Sequence, residues 1–234
     1  MIKLGQRKLK RMNSKLVKYA AEFFKISEEE AIARVEQSTQ ALADEWKTKE
    51  SIEDYYKSTT NYIFDLIMYN TDDRVNTTIY PISKYSRAKI LDFGGGIGEI
   101  SRRLSFNNKM FYYDIPSKTQ EFAKFVTERE GNNVTFLTEE ELYKHKFNII
   151  IAVDVFEHLE DPIGCVKKLI NMTDKNNFIL TTGLDFNMDE KHPQHLRENV
   201  LKRPEFIKQF QEKFFLVFYH VSGFGVLYLW RKKT

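Results

Sequence analysis

Apolar positions along the first 80 residues fall at helical spacing. Ile32, Val35, Thr39, Leu42 and Trp46 recur at three- and four-residue intervals, and Ser27 followed by Glu30 has the form of a capping box ahead of them. Tyr55, Tyr56, Tyr62, Phe64, Leu66 and Ile67 continue an aromatic-rich helical stretch. No glycine occurs between Gly5 and Gly94, and Pro81 with the Ser-Lys-Tyr-Ser run after it marks a linker. The pattern changes near residue 88. Short apolar runs at Ala88–Phe93, Met110–Tyr113, Val134–Leu137, Asn148–Val153 and Phe178–Thr182 alternate with amphipathic segments at 97–106, 117–130 and 162–171. Asp161 suits an N-cap for the last of these, with Pro162 in its first turn. Strand–helix alternation of this kind predicts a doubly wound parallel sheet. After a helical segment at 203–213, Phe214–Val221 and Gly225–Arg231 read as two strands of a hairpin joined by Ser-Gly-Phe-Gly. The expected division is a helical region over 1–80 and an α/β domain over 81–234.

Composition narrows the picture. Hydrophobic residues make up 42% of the 234 positions and aromatics 14%, enough for a sizeable core. The net charge of +3 does not by itself point to nucleic acid. A single cysteine, Cys165, excludes an internal disulfide and a cysteine-based zinc site, and favours a reducing compartment. The most apolar run, Phe147 to Phe156, contains Asp154 and is far short of the roughly 20 residues of a membrane helix. The expectation is a cytoplasmic protein without membrane attachment, monomeric or homodimeric.

Candidate chemistry concentrates where the first apolar run ends. Ile90-Leu91-Asp92-Phe93 leads directly into Gly94-Gly95-Gly96-Ile97-Gly98-Glu99. Ligands of open α/β sheets bind beyond the carboxyl ends of the strands, and glycine there lets a ligand approach the backbone at a helix N-terminus. A dinucleotide fingerprint fails on spacing, because counting from Gly94 puts Glu99 where the third glycine belongs. A phosphate loop fails because Gly-Lys-Ser/Thr is absent. A carboxylate beside the loop suits a ligand carrying an ammonium and a sulfonium.

Asp92-x-Gly94-x-Gly96-x-Gly98 resembles the first motif of class I S-adenosylmethionine-dependent methyltransferases. Asp114, twenty positions after Gly94, falls where that family places the acid that binds both ribose hydroxyls. The run from Ile149 to Pro162, ending Glu157-His158-Leu159-Glu160-Asp161-Pro162, is similar to the fourth-strand motif of ubiquinone-biosynthesis-type and natural-product members. The resemblance covers about residues 88–231. It implies a Rossmann-like seven-stranded sheet with a C-terminal antiparallel hairpin, beneath a helical N-terminal lid. It also implies S-adenosylmethionine as cofactor and S-adenosylhomocysteine as product, held by Asp92, Gly94, Gly95, Gly96, Gly98, Asp114, Ile115, Asp154 and Val155. The family's adenine-contacting acid has no single counterpart here, since Leu137, Thr138, Glu139 and Glu140 all stand near the expected place.

His192 and His195 lie in the long segment from Gly183 to Asn199, after the fifth strand, on the side expected to face the acceptor. Methyl transfer needs proximity, alignment and a free lone pair on the acceptor, and no metal. A hydroxyl or ammonium acceptor must lose a proton, for which His195, or else His192, is the candidate base, whereas a carboxylate needs none. Tyr55, Tyr56 and Tyr62 are candidates for lining the acceptor pocket under the lid, where aromatic faces suit a sulfonium. Glu157, His158 and Cys165 read as structural. The basic stretch from Lys3 to Lys25, with Glu22 its only acid, fits a solvated helix face or the docking of an acidic substrate. The expected reaction is methylation of an oxygen on a small metabolite or a natural-product peptide. Nitrogen is the alternative acceptor. RNA methylation and a catalytically inactive S-adenosylmethionine-binding scaffold stand further back, since the fourth-strand motif is not the Asn/Asp-Pro-Pro-Tyr of amino-directed base methylation.

Overall fold

The computed structural model describes residues 14–184, 192–222 and 225–234. Five helices come first: α1 (Ser14–Phe24), α2 (Glu28–Lys47), α3 (Ile52–Ser58), α4 (Asn61–Tyr69) and α5 (Asp72–Ile79). Ser27 caps α2 by accepting from the Glu30 amide, but only that half of the capping box forms, because the Glu30 carboxylate is taken by Arg34 one turn on. The aromatic-rich stretch is not one helix. It breaks at Thr59–Thr60, where Thr59 is extended, its hydroxyl donating to Glu45 on α2. The Lys3-to-Lys25 stretch lies outside the described residues up to position 13. Within it, Lys15 pairs with Glu130.

The α/β part follows the predicted rhythm: β1 (Lys89–Phe93), α6 (Glu99–Leu104), β2 (Lys109–Tyr113), α7 (Lys118–Arg129), β3 (Val134–Phe136), α8 (Glu139–Leu142), β4 (Phe147–Ala152), α9 (Pro162–Asn171) and β5 (Thr173–Thr182). Two helices, α10 (Glu198–Leu201) and α11 (Arg203–Lys213), precede the hairpin of β6 (Phe214–Ser222) and β7 (Gly225–Lys232). The hairpin's expected turn residues 223 and 224 lie outside the described residues. The seven strands run in the order β3-β2-β1-β4-β5-β7-β6, the first five parallel and the hairpin antiparallel. The order reverses between β1 and β4, which makes their carboxyl ends the switch point where such sheets bind ligands.

β5 begins five residues earlier than its apolar run. Thr173–Asn177 is polar, and it joins the sheet only through Thr173 opposite Phe147, with an irregularity before Phe178 pairs with Ile149. Asn176 takes a positive φ of 64° inside that stretch. Two apolar layers sandwich the sheet. One gathers Phe147, Phe156, Val166, Phe206, Phe210 and Trp230 under α9 and α11. The other gathers Ile82, Ile90, Ile149, Ile151 and Leu180. A third core joins α1, α2 and α4 to α7: Leu16, Val17, Val35, Ile63 and Phe64 pack with Phe122, Val126 and the glycine-loop residue Ile97. Burying a side chain of this size stabilises by roughly 1.5–3 kcal/mol, so the helical segment is anchored through its own core.

Candidate active site

The glycine loop is built by β1 and the helix after it. Gly94 has a φ of +67°, and a Cβ there would lie 2.6 Å from Val155 Cγ2. At Gly95 a Cβ would lie 2.6 Å from the ring of Tyr112 and 3.0 Å from Asp92 Oδ2. The loop can therefore run this close to β2 and β4 only without side chains. Asp92 is buried and its Oδ2 accepts from the backbone amide and hydroxyl of Ser101 at 3.1 and 2.7 Å, tying the strand end to α6. Burial pushes its carboxyl up to about 6, against the pull of those two bonds.

Asp114 follows the end of β2. Its Oδ2 accepts from the Gly96 amide at 2.8 Å and its Oδ1 from the Ile115 amide at 2.8 Å. The Tyr112 hydroxyl donates to the Gly96 carbonyl at 2.6 Å. The carboxylate thus fixes the glycine loop while standing on the cavity wall, and burial pushes it up to about 6.

A cavity of about 600 Å³ opens at the switch point. Its wall includes Asp92, Gly94, Gly95, Gly96, Asp114, Ile115, Asp154 and Val155 from the sheet, with Tyr56 and Tyr62 from the helical segment. Of the residues expected to hold the cofactor or line the lid, two stand elsewhere. Gly98 is the left-handed N-cap of α6 and is not on the wall. Tyr55 is 3% exposed and packs edge-on against Trp46, so it belongs to the helical core rather than to a pocket. Adjacent helical residues point about 100° apart, so one tyrosine of the pair faces the cavity and the other does not. Of the four residues near the expected adenine contact, Glu139 lines the cavity. Cys165 also reaches it, and burial pushes its thiol up to about 12, which fits packing rather than nucleophilic attack.

One side chain on the wall carried no sequence signal, and two residues of the fourth-strand motif, read as structural, stand on or near it. Arg74 on α5 forms an ion pair with Asp154, eighty positions away, and both line the cavity. A lone arginine in a polar helix gives no pattern to read. Asp154 itself has a φ of +54°, and its amide donates to the Thr182 hydroxyl at 2.7 Å. His158, read from the sequence as structural, lines the cavity, its Nδ1 lying 2.8 Å from the Tyr56 hydroxyl. Burial, and then the neighbouring His195, push its imidazole down to about 3. Burial, and then Asp154, push Glu157 up to about 8.

His192 and His195 come together, but behind His158 rather than on the wall. The rings of His192 and His195 stack with centroids 5.4 Å apart, and those of His195 and His158 are 5.0 Å apart. His192 Nε2 lies 3.3 Å from the Tyr69 hydroxyl. Tyr69 lines a second cavity of about 580 Å³, which shares Arg74, Thr78, Val153 and Asp154 with the first. The histidine row therefore runs between the two cavities.

A sheet of this order, with a glycine loop after β1 and an acid after β2, has the Rossmann-like fold of class I S-adenosylmethionine-dependent methyltransferases. The family model for a methyltransferase domain matches residues 33–227, and the chain belongs to that family. No curated protein matches the sequence. Among solved structures, the chain is similar to the N-methyltransferase NodS from Bradyrhizobium japonicum WM9 in complex with S-adenosyl-L-homocysteine. Identity there is 14% and the TM-score 0.56, over 85% of this chain and 100% of that one. It is also similar to magnesium protoporphyrin IX methyltransferase (ChlM) from Synechocystis PCC 6803, at 16% identity and a TM-score of 0.55, over 87% of this chain and 100% of that one. TehB from Haemophilus influenzae shares 20% identity with a TM-score of 0.51, over 78% and 68% of the two chains. At these identities the likeness is one of fold. Among the described residues no helix is long and apolar enough to cross a membrane.

Proposed function

We propose that this methyltransferase binds S-adenosylmethionine in the cavity at the ends of β1, β2 and β4 and methylates an oxygen of a small metabolite or a natural-product peptide. The observation that carries the cofactor's placement is Asp114: a carboxylate bonded to the Gly96 amide of the glycine loop and to the neighbouring Ile115 amide, on a cavity of a size that holds a nucleoside-bearing ligand. The residues fit that ligand. Asp114 suits the two ribose hydroxyls, the glycine cradle admits a ligand against the backbone, and Arg74 is a guanidinium for a carboxylate, with Asp154 able to meet an ammonium. When bound, S-adenosylmethionine supplies a methyl group on an electrophilic sulfonium.

The helices over 14–79 supply Tyr56, Tyr62 and Arg74 to the wall, which supports their reading as the lid and acceptor region. The second cavity, joined to the first at the Arg74–Asp154 wall, suits the acceptor. His192 and His195, with His158 in front of them, then attend the acceptor's exchangeable proton. Uncharged phenols and an uncharged imidazole can hydrogen-bond an acceptor hydroxyl but give an ammonium no counter-charge, which favours oxygen over nitrogen. The test is calorimetry with S-adenosylhomocysteine followed by product mass spectrometry over a panel of hydroxyl, carboxylate and amine acceptors. Low-micromolar binding, about −7 to −8 kcal/mol, with methyl ester or ether products is expected. Absent binding, or methylated amines alone, overturns the cofactor or the acceptor part respectively.

A further inference from the structure

The histidine row contains a second arrangement that cofactor binding does not use. One ligand-type atom from each of Glu157, His158 and His195 lies within 4.8 Å of the other two. The three come from a 3-10 turn after β4, Phe156–His158, and from the segment that leads into α10. Backbone bonds clamp these two pieces together. The Leu196 amide donates to the Glu157 carbonyl at 2.8 Å. The fully buried Asn199 side-chain amide donates to the carbonyls of Phe156, Glu157 and Leu159 at 3.1, 3.3 and 2.8 Å. A row of side chains held this way is preorganised.

His158 is oriented as a ligand would be. Its Nδ1 lies 3.2 Å from the Gln194 carbonyl, which only accepts, and 2.8 Å from the Tyr56 hydroxyl. Both contacts are satisfied when Nδ1 carries the hydrogen, which leaves the lone pair on Nε2. A carbonyl that fixes the tautomer of an imidazole from behind is the usual support of a metal-bound histidine. Glu157 supplies the independent sign. It is 4% exposed, and its Oε2 has no hydrogen-bond partner among the described residues. A buried carboxylate oxygen left unmatched calls for a cation beside it.

We propose that Glu157, His158 and His195 bind one divalent cation of the transition series, zinc first. Two imidazoles and one carboxylate are the donor set of zinc and ferrous sites with a coordination position left open, whereas magnesium and calcium prefer all-oxygen shells. Because His158 is part of the cavity wall, the ion sits at the acceptor end. An acceptor hydroxyl bound to it loses its proton more readily. That consequence rests on the acceptor reading above; the site itself does not.

The experiment uses the untagged full-length chain, stripped with a chelator and titrated without cofactor. Zinc is followed by calorimetry, and Co²⁺ by visible absorption and by its effect on the five histidines in NMR spectra. Expected are one equivalent of bound metal, Co²⁺ bands of four- or five-coordinate intensity, and selective broadening of His158, His195 and the stacked His192, but not of His145 or His220. Glu157→Gln and His195→Ala should each weaken zinc binding by at least about 10–100-fold. Melting curves and S-adenosylhomocysteine affinity in chelator report whether these variants fold. Absence of saturable binding by the wild type, broadening centred on other histidines, or folded variants that keep wild-type affinity overturns the proposal. The wild-type Co²⁺ spectra decide it even where a variant fails to fold. Failure of cofactor binding, measured separately, would strike the functional reading and leave the metal site standing.

Discussion

Replacing Asp114 tests the centre of the functional reading. The side chain has two tasks: its oxygens hold the Gly96 and Ile115 amides, and it stands on the cavity wall where ribose hydroxyls would donate to it. Hydrogen bonds to a charged acceptor contribute about 1.5–3 kcal/mol each, and loss of the carboxylate also frees the loop. Asp114→Ala should therefore weaken S-adenosylhomocysteine binding by about 2–3 kcal/mol, roughly 30- to 150-fold. The fold should persist, because the group is one that burial disfavours when ionised. Its folded pKa, about 6, lies above the unfolded value. The stability it contributes is therefore present below the unfolded pKa and lost as pH rises through about 6. At neutral pH this costs the unliganded fold at most about 3 kcal/mol. Hydroxyls donating to the ionised form offset that cost, so binding releases a proton, and affinity should fall nearly tenfold per pH unit below about 6. Asp92 titrates in the same range but is bonded to Ser101 and keeps that environment in both states. The pH slope should therefore vanish in Asp114→Asn. Calorimetry from pH 5 to 7.5 checks this. A folded Asp114→Ala that binds within about threefold of wild type refutes the assignment, as does a pH slope that survives in Asp114→Asn.

Gly94→Ala should weaken cofactor binding and lower the melting temperature, by about 1–3 kcal/mol in stability, because it places a Cβ 2.6 Å from Val155 at a positive φ; thermal melts with and without ligand separate the two losses. Arg74→Gln leaves Asp154 without its guanidinium and removes the cation suited to the ligand's carboxylate, so KM for S-adenosylmethionine should rise about tenfold or more with little change in melting temperature. Equal KM values would assign Arg74 to the wall alone. Removing residues 1–48 strips α1 and α2 from Phe64, Phe122 and Val126, all fully buried, so the truncated chain should lose stability rather than retain a folded core with impaired turnover. A cooperative melt within a few degrees of the full chain would contradict that packing argument.

The parts legible in the sequence are those fixed by local chemistry. A strand of four apolar-rich positions running into glycines is specified within ten residues, and so is the Asp161 cap, whose carboxylate accepts from the Gly164 amide at 2.8 Å. The strand order follows once alternating elements are granted. What escaped reading depends on partners distant in sequence. The polar start of β5 is a strand only because Phe147 pairs with Thr173. Arg74 matters through a partner eighty positions away. Tyr55 and Tyr56 look alike in the sequence, and the helix phase that separates them is set by Trp46 and His158 from two other segments. His195 was visible as a candidate, but its place behind His158 is decided by Asn199 and Leu196 clamping the turn after β4.

The location of the site also follows from where the fold departs from its own rules. At the ends of β1, β2 and β4, Asp92, Asp114 and Asp154 are drawn into surroundings that push each carboxyl upward. Asp154 also holds a left-handed backbone that side chains rarely adopt, kept there by the Thr182 hydroxyl and the Arg74 guanidinium. Each of these features opposes stability, and such strain persists only where neighbouring bonds enforce it. Asp114 and Asp154 are not needed to close the sheet, because β2 and β4 end at Tyr113 and Ala152, before them. Their concentration on one wall, at the switch point of the strand order, supports the proposed ligand face by a physical argument separate from any likeness to other methyltransferases.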